Sequence, residues 1–313
     1  MCGIAGFMCL KELEQGTKKL LAAGLLEGIE SRGKDATGIF TADRGEQGYI
    51  QKAAIPASRF ISERLGNMFL GDINLLHTRA ATHGKPEDNR NNHPIPGKKW
   101  VITHNGMVAR MNQIATYAYN TKCDTELLLS HVEAKGIENG LEGVKGSAAV
   151  AMMQHKNAEK LHLFRHNNPL WIGVVPERAL VWASTRHDLQ NGVTQAFGSV
   201  YGEFSPAFLF KAQEHRLYSI DLTTQDLDLK IDKKDLDVDD VGYSYYRGSN
   251  TNWRNRFTNS RSTKTKNKKK EEKKKGKNYC NECGAKLFHK QIARGTCYTC
   301  AHGYYNNSQR SNK

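Results

Sequence analysis

The chain of 313 residues carries 46 Lys and Arg against 32 Asp and Glu, a formal net charge of +14, and 38% of its residues are hydrophobic. The charge is uneven: residues 251–313 hold 17 basic and three acidic residues, which leaves residues 1–250 with 29 of each sign. A neutral body of that length is enough for one substantial domain, and no apolar run approaches the roughly 20 residues of a membrane-spanning helix, so a helical membrane protein is excluded.

Residues 3–9 read as a short buried strand, and Leu13, Leu20, Leu21, Leu25 and Ile29 recur at helical spacing across 11–30. Short apolar runs bounded by Gly, Asn, Asp or Pro then predict strands over 37–42, 49–54, 73–77, 100–104, 148–154, 160–165, 170–175, 179–184, 207–211 and 217–221. Helical spacing returns over 57–65, 124–135 and 136–144. Many strands with helices grouped early fit a layered α+β domain better than a regular βαβ alternation. Past residue 221 the apolar density falls, 232–240 is acidic, and 254–278 has the composition of a disordered linker. The N-terminus is apolar but has no basic leader, and its charges begin at Lys11, too early for a secretory signal, so the expected location is the cytoplasm.

Seven cysteines fall into two classes, four in paired spacing near the C-terminus and Cys2, Cys9 and Cys123 scattered through the body. In a reducing compartment such a set argues for metal binding and chemistry over disulfides. Cys2 follows Met1, and its small side chain favours removal of the initiator, which leaves an α-amine and a thiol on one residue. That amine titrates near pH 8, about right to take the thiol's proton, and a thiolate attacks acyl carbon readily. By itself, a cysteine at position 2 is as readily a small buried apolar residue.

Four further stretches follow in order: Ser31-Arg-Gly-Lys-Asp-Ala-Thr-Gly-Ile, His77-Thr-Arg-Ala-Ala-Thr-His-Gly-Lys-Pro, His104-Asn-Gly-Met-Val and Cys123-Asp-Thr-Glu. A lone Asn-Gly is a common turn. Together with Cys2-Gly-Ile-Ala-Gly-Phe, however, the series resembles the class II glutamine amidotransferases, over residues 2 to about 221, and most of all the glutaminase domain of glucosamine-6-phosphate synthase.

The resemblance implies a four-layer αββα sandwich of the N-terminal nucleophile hydrolase type, with two antiparallel sheets and Cys2 at the start of one. It implies hydrolysis of L-glutamine to glutamate and ammonia through a Cys2 thioester. The Asn105 amide and the Gly106 backbone N–H would form the oxyanion hole, Arg79 would meet the substrate α-carboxylate, and Asp124 the α-ammonium. Thr82 and His83 would line the same pocket, and Arg32 and Asp35 would shape the nucleophile's surroundings. Acyl transfer needs such parts: a nucleophile, donors for a tetrahedral oxyanion, and charged groups for the amino-acid end. Plainer roles stay open, with Arg79 in an ion pair, Asp124 as a helix N-cap as well as a ligand, His83 as a structural histidine, and Cys9 and Cys123 as packed thiols. Ala80 and Lys34 depart from the family pattern and bear on how the pocket closes.

Family members usually fuse this domain to a synthase, and residues 222–313 are too few for one. The ammonia is therefore expected to serve a separate synthase; the alternatives are another γ-glutamyl amide as substrate, or an inactive body used as a scaffold. Near the C-terminus, Cys280-x-x-Cys283 and Cys297-x-x-Cys300 have the spacing of a four-thiolate structural Zn²⁺ site. Residues 261–277 hold ten basic and two acidic residues, a run that attracts polyanions, so nucleic acid is an expected partner of residues 254–300. A solvated spacer or a protein-docking ribbon are the alternatives. The expected organisation is an amidotransferase domain over 2–240, a basic disordered linker over 241–278, a zinc ribbon over 279–303 and a flexible tail over 304–313.

Overall fold

The computed structural model describes residues 1–108, 110–198, 209–222 and 231–238. The basic linker, the zinc cysteines Cys280, Cys283, Cys297 and Cys300 and the nucleic-acid run predicted for the tail lie outside them.

The elements run β1 (Gly3–Cys9), α1 (Gln15–Glu30), β2 (Ala36–Ala42), β3 (Tyr49–Ala53), α2 (Ala57–Glu63), β4 (Ile73–Arg79), β5 (Ile95–Pro96), β6 (Trp100–Met107), α3 (Thr125–Lys135) and α4 (Ile137–Glu142). They continue with β7 (Ser147–Gln154), β8 (Lys160–His166), β9 (Trp171–Val175), β10 (Ala179–Ala183), α5 (Arg186–Phe197), β11 (Leu209–Lys211), β12 (Arg216–Asp221) and β13 (Ile231–Asp235). One sheet has the order β11-β9-β10-β1-β4-β2-β3 and the other β13-β12-β8-β7-β6-β5. The ladders are antiparallel throughout.

Side chains alternate across a strand, and here both faces of the central strands are covered, so β1, β10 and the middle of β7 read as unbroken apolar runs. Along β1, Ala5 and Phe7 face a core shared with Leu21, Leu25 and Ile29 of α1 and Leu189 and Val193 of α5. Ile4 and Met8 face a second core, between the sheets, with Ala149, Ala151, Met153 and Trp182. A third core joins Ile102, Val150 and Met152 to Leu128, Leu129 and Val132 of α3 and Leu141 of α4. Three cores separate four layers, which is the expected αββα sandwich.

Two elements depart from the sequence-based expectation. Helices are not confined to the early chain, because α5 forms late and packs on α1 so tightly that a Cβ on Gly24 would lie 2.8 Å from Gly192 Cα. Its apolar content is too thin for a periodicity argument: only Asp188, Leu189, Gly192 and Val193 are buried. The local signal lies at its start, where Thr185 Oγ1 accepts from Asp188 N–H and Asp188 accepts from Thr185 N–H, both at 3.1 Å. The segment read only as an acidic patch begins with edge strand β13, which pairs with β12 and is anchored by the Arg216–Asp235 ion pair. No described helix is long and apolar enough to cross a membrane.

Candidate active site

The site forms where β1, β4 and β6 end near one another. Gly3 pairs with Thr78 across β1 and β4, so Cys2 lies beside the end of β4, its Sγ 3.6 Å from the Ala80 carbonyl. The loop over residues 32–35 borders Cys2 and the end of β4. Arg32 Nε donates to the Cys2 carbonyl at 3.0 Å, and the Asp35 carboxylate accepts the Ala81 N–H at 2.7 Å while the Asp35 N–H donates to Arg79 O. Gly33 permits this approach, since a Cβ there would sit 2.3 Å from the Arg79 carbonyl carbon.

Burial pushes the Cys2 thiol above its ordinary range; the Arg79 charge opposes that shift and the Asp124 carboxylate reinforces it. The two side chains expected to bind substrate are thus close enough to act on the Cys2 thiol. A raised pKa also means that the resting group is a thiol, and attack requires a base.

Arg79 is buried rather than placed in a surface ion pair. Its Nη1 donates to Asn92 Oδ1 at 2.9 Å and its Nη2 to the carbonyls of His83 and, at 2.8 Å, Gly84. Both Nη2 hydrogens are committed, so a bidentate fork for a carboxylate is not free in this arrangement; Nε–H and one Nη1–H remain. Asp124 stands at the N-cap position of α3 but makes no side-chain cap bond, which corrects the capping expectation. Its Oδ2 instead accepts the Val108 N–H at 2.9 Å, pinning the strand end after β6, because Asp124 has helical backbone angles and its carboxylate turns away from the first turn.

Asn105 and Gly106 lie on β6 opposite Ala149 and Ala148 of β7. Asn105 is 1% exposed, and its Nδ2 has no hydrogen-bond acceptor among the described residues. Leaving a buried donor unmet costs about 1–3 kcal/mol, so such a group marks a place where something else supplies the acceptor. Gly106 cannot carry a side chain, because a Cβ there would meet the Ser147 carbonyl at 1.9 Å. Asn168, which sequence reasoning missed, is buried and donates from Nδ2 to the Asn105 carbonyl at 2.9 Å; it follows the end of β8, and no motif pointed to it.

A cavity of about 330 Å³ opens against Asp124, with His83, Gln113, Tyr119, Lys122 and Cys123 in its wall. Thr82 and His83 are exposed on the adjoining loop, with His83 Nδ1 3.3 Å from Thr82 Oγ1. Cys123 is a buried thiol as expected, yet it also faces this cavity and lies 3.8 Å from Asp124 Oδ1. Cys9 is packed in the first core.

Behind the site three buried histidines fasten the layers. Thr125 Oγ1 lies 2.9 Å from His93 Nε2 and 2.8 Å from His104 Nδ1, His77 Nε2 lies 3.1 Å from the His104 carbonyl, and the His77 and His93 rings stack at 4.0 Å. Burial pushes His77 down to about 3 and holds His93 and His104 below their ordinary value, so all three are neutral. Their work is to tie β4 and β6 to the start of α3. His93 was not singled out by the sequence.

A family model described as a glutamine amidotransferase domain matches residues 77–191, the span that contains Arg79, Thr82, His83, Asn105, Gly106 and Asp124. The chain carries a glutamine amidotransferase domain of the class II type. This amidotransferase is 30% identical over 192 residues to a glutamine–fructose-6-phosphate aminotransferase (isomerizing) of Pyrobaculum aerophilum, and 28% identical over 190 residues to that of Bacillus thuringiensis. Each match covers 56% of this chain, but only 31% and 30% of the relative. The amidotransferase thus spans about a third of those curated relatives. Its fold is that of the B. subtilis glutamine phosphoribosylpyrophosphate amidotransferase, with a TM-score of 0.56 at 21% identity over 74% of this chain and 49% of that one.

Proposed function

We propose that this amidotransferase hydrolyses the side-chain amide of L-glutamine to glutamate and ammonia, and that the ammonia serves a separate synthase. The unmet Asn105 donor carries the reading: a buried amide N–H without an acceptor among the described residues is the group that a tetrahedral oxyanion would satisfy.

In this reading Met1 is removed and the Cys2 α-amine takes the proton of Sγ. The thiolate then adds to the amide carbon of glutamine, and its oxygen, now negative, accepts from Asn105 Nδ2 and the Gly106 N–H. Collapse breaks the C–N bond, the amine returns its proton to the leaving nitrogen, and ammonia departs from a Cys2 thioester. Water, deprotonated by the same amine, adds to the thioester; glutamate leaves and the thiol is restored. Asp124, with Oδ2 engaged by Val108, would hold the substrate α-ammonium through Oδ1. Arg79 would meet the α-carboxylate with its remaining hydrogens and its buried charge.

The deciding measurement is ammonia release from L-glutamine by the full chain, with intact mass confirming loss of Met1. Steady release that disappears when Met1 is retained supports the proposal, and none from correctly processed protein would refute it. Asp124→Asn keeps an acceptor for Val108 but loses the charge, so KM for glutamine is expected to rise by about 10- to 100-fold with a smaller change in kcat. An unchanged KM would remove Asp124 from the substrate site.

For the tail, the proposal is a structural Zn²⁺ on Cys280, Cys283, Cys297 and Cys300, with the basic run attracting nucleic acid. Deleting residues 251–313 should then abolish low-salt retention on nucleic acid while ammonia release persists; undiminished retention would discard the nucleic-acid role.

A further inference from the structure

Outside the glutaminase machinery, His166, Glu214 and His215 bring three potential metal-ligand atoms within 4.8 Å of one another. His166 ends β8 and is 2% exposed, and Glu214 and His215 occupy the turn between β11 and β12. The His166 Nδ1 and His215 Nε2 atoms face each other at 2.8 Å. At that separation the pair makes an N–H···N hydrogen bond in one tautomer, and with both nitrogens unprotonated their lone pairs converge on the space between them, where a divalent cation can replace the shared proton.

The surrounding backbone holds the three side chains in place. His215 donates its N–H to the Arg165 carbonyl at 2.9 Å and accepts the Leu236 N–H at the same distance, in a left-handed conformation at φ 58°. Glu214 pairs with the Arg165 guanidinium through one carboxylate oxygen and takes the Asn167 N–H on the other. Each oxygen keeps a lone pair for a further partner.

We propose that His166 and His215 chelate a divalent first-row transition cation, with Glu214 as the third protein ligand and water on its exposed side. The geometry narrows the choice of ion. With metal–nitrogen bonds of about 2.1 Å, nitrogens 2.8 Å apart subtend about 84°, a cis pair in an octahedral or square arrangement and too narrow for a tetrahedron. Imidazole and carboxylate donors in that geometry suit Co²⁺ or Ni²⁺ better than Mg²⁺ or Ca²⁺. The Asn167 side-chain amide lies 3.0 Å from His166 Nε2. Turned with its oxygen inward, at the loss of its long 3.4 Å bond to the Gly146 carbonyl, it accepts the Nε2 hydrogen and leaves Nδ1 to the metal, the usual outer support of a ligating histidine.

The ion would clamp the end of β8 to the β11–β12 turn. Asn168, two residues after His166, holds the Asn105 carbonyl, so the clamp adjoins the strand that bears the oxyanion donor. Glutamine hydrolysis as described needs no metal, and the inference stands independently of it.

Equilibrium dialysis of the metal-free full chain against Co²⁺ tests it, with visible spectra recorded on the dialysed samples. Thiolate ligation by the tail cysteines gives intense sulfur-to-cobalt charge transfer, whereas imidazole and carboxylate ligation does not. The expected result is that H166A/H215A binds one Co²⁺ fewer than the native chain, with the charge-transfer band unchanged. The single variant His215→Ala, in a turn, serves if the double variant fails to fold, and its affinity at this site should fall at least tenfold. Equal Co²⁺ uptake by native and variant chains, including no uptake by either, would overturn the proposal.

Discussion

Replacing Cys2 by Ala in the Met1-free chain is expected to lower ammonia release from L-glutamine by a factor of about 10⁴ or more, the usual cost of removing a nucleophile that acts as a unit with its base. Thermal unfolding should barely change, because the side chain is only partly buried and makes one long contact, to Ala80. The other described cysteines cannot take its place. Burial pushes Cys9 up to about 12 and Cys123 up to about 11, so both stay thiols at neutral pH. The pH profile gives a second check. The proposed base is the Cys2 α-amine, which must be unprotonated, so kcat/KM should fall as pH drops through about 8. Wild-type rates in Cys2→Ala would show that another group attacks the amide.

The sandwich was legible because burial on both faces leaves a mark in sequence. Strands such as β1 and β10, caught between a helix layer and the facing sheet, are apolar at nearly every position, and the Gly, Asn and Asp around them mark their ends. Helix α5 was illegible for the complementary reason: it meets α1 through glycines, and a glycine contact contributes close backbone approach without apolar periodicity. In the candidate site, the motif residues Cys2, Arg79, Asn105, Gly106 and Asp124 could be singled out because a resemblance carried them. What the sequence could not give was how they are held. The commitment of Arg79 to carbonyls of its own loop depends on how residues 79–84 curl back, and the turning of Asp124 toward Val108 depends on backbone angles at one residue. Asn168 and His93 were missed because each acts on a partner distant in sequence, across folded layers.

Replacing Asn105 by Ala is expected to lower kcat by about 10²- to 10³-fold with KM for glutamine nearly unchanged, since the oxyanion exists only in the transition state and intermediate. The stability effect should run the other way. In the resting protein the Asn105 Nδ2 is buried and unmet, so truncation removes a donor that costs about 1–3 kcal/mol when left unpaired, partly offset by the small cavity created. Activity should therefore collapse while the melting temperature holds or rises, a pairing that a merely structural asparagine would not produce. Asn105→Asp is a sharper variant: similar in shape, it sets a carboxylate where negative charge develops and should be at least as impaired. Asn168→Ala acts one step back. It frees the Asn105 carbonyl without removing the donor, so a loss in kcat of about tenfold is expected, partly restored by Asn168→Ser if the hydroxyl reaches the same carbonyl. Should Asn105→Ala lose stability together with activity, its amide would be a packing group, and the oxyanion would have to be held by Gly106 and another donor.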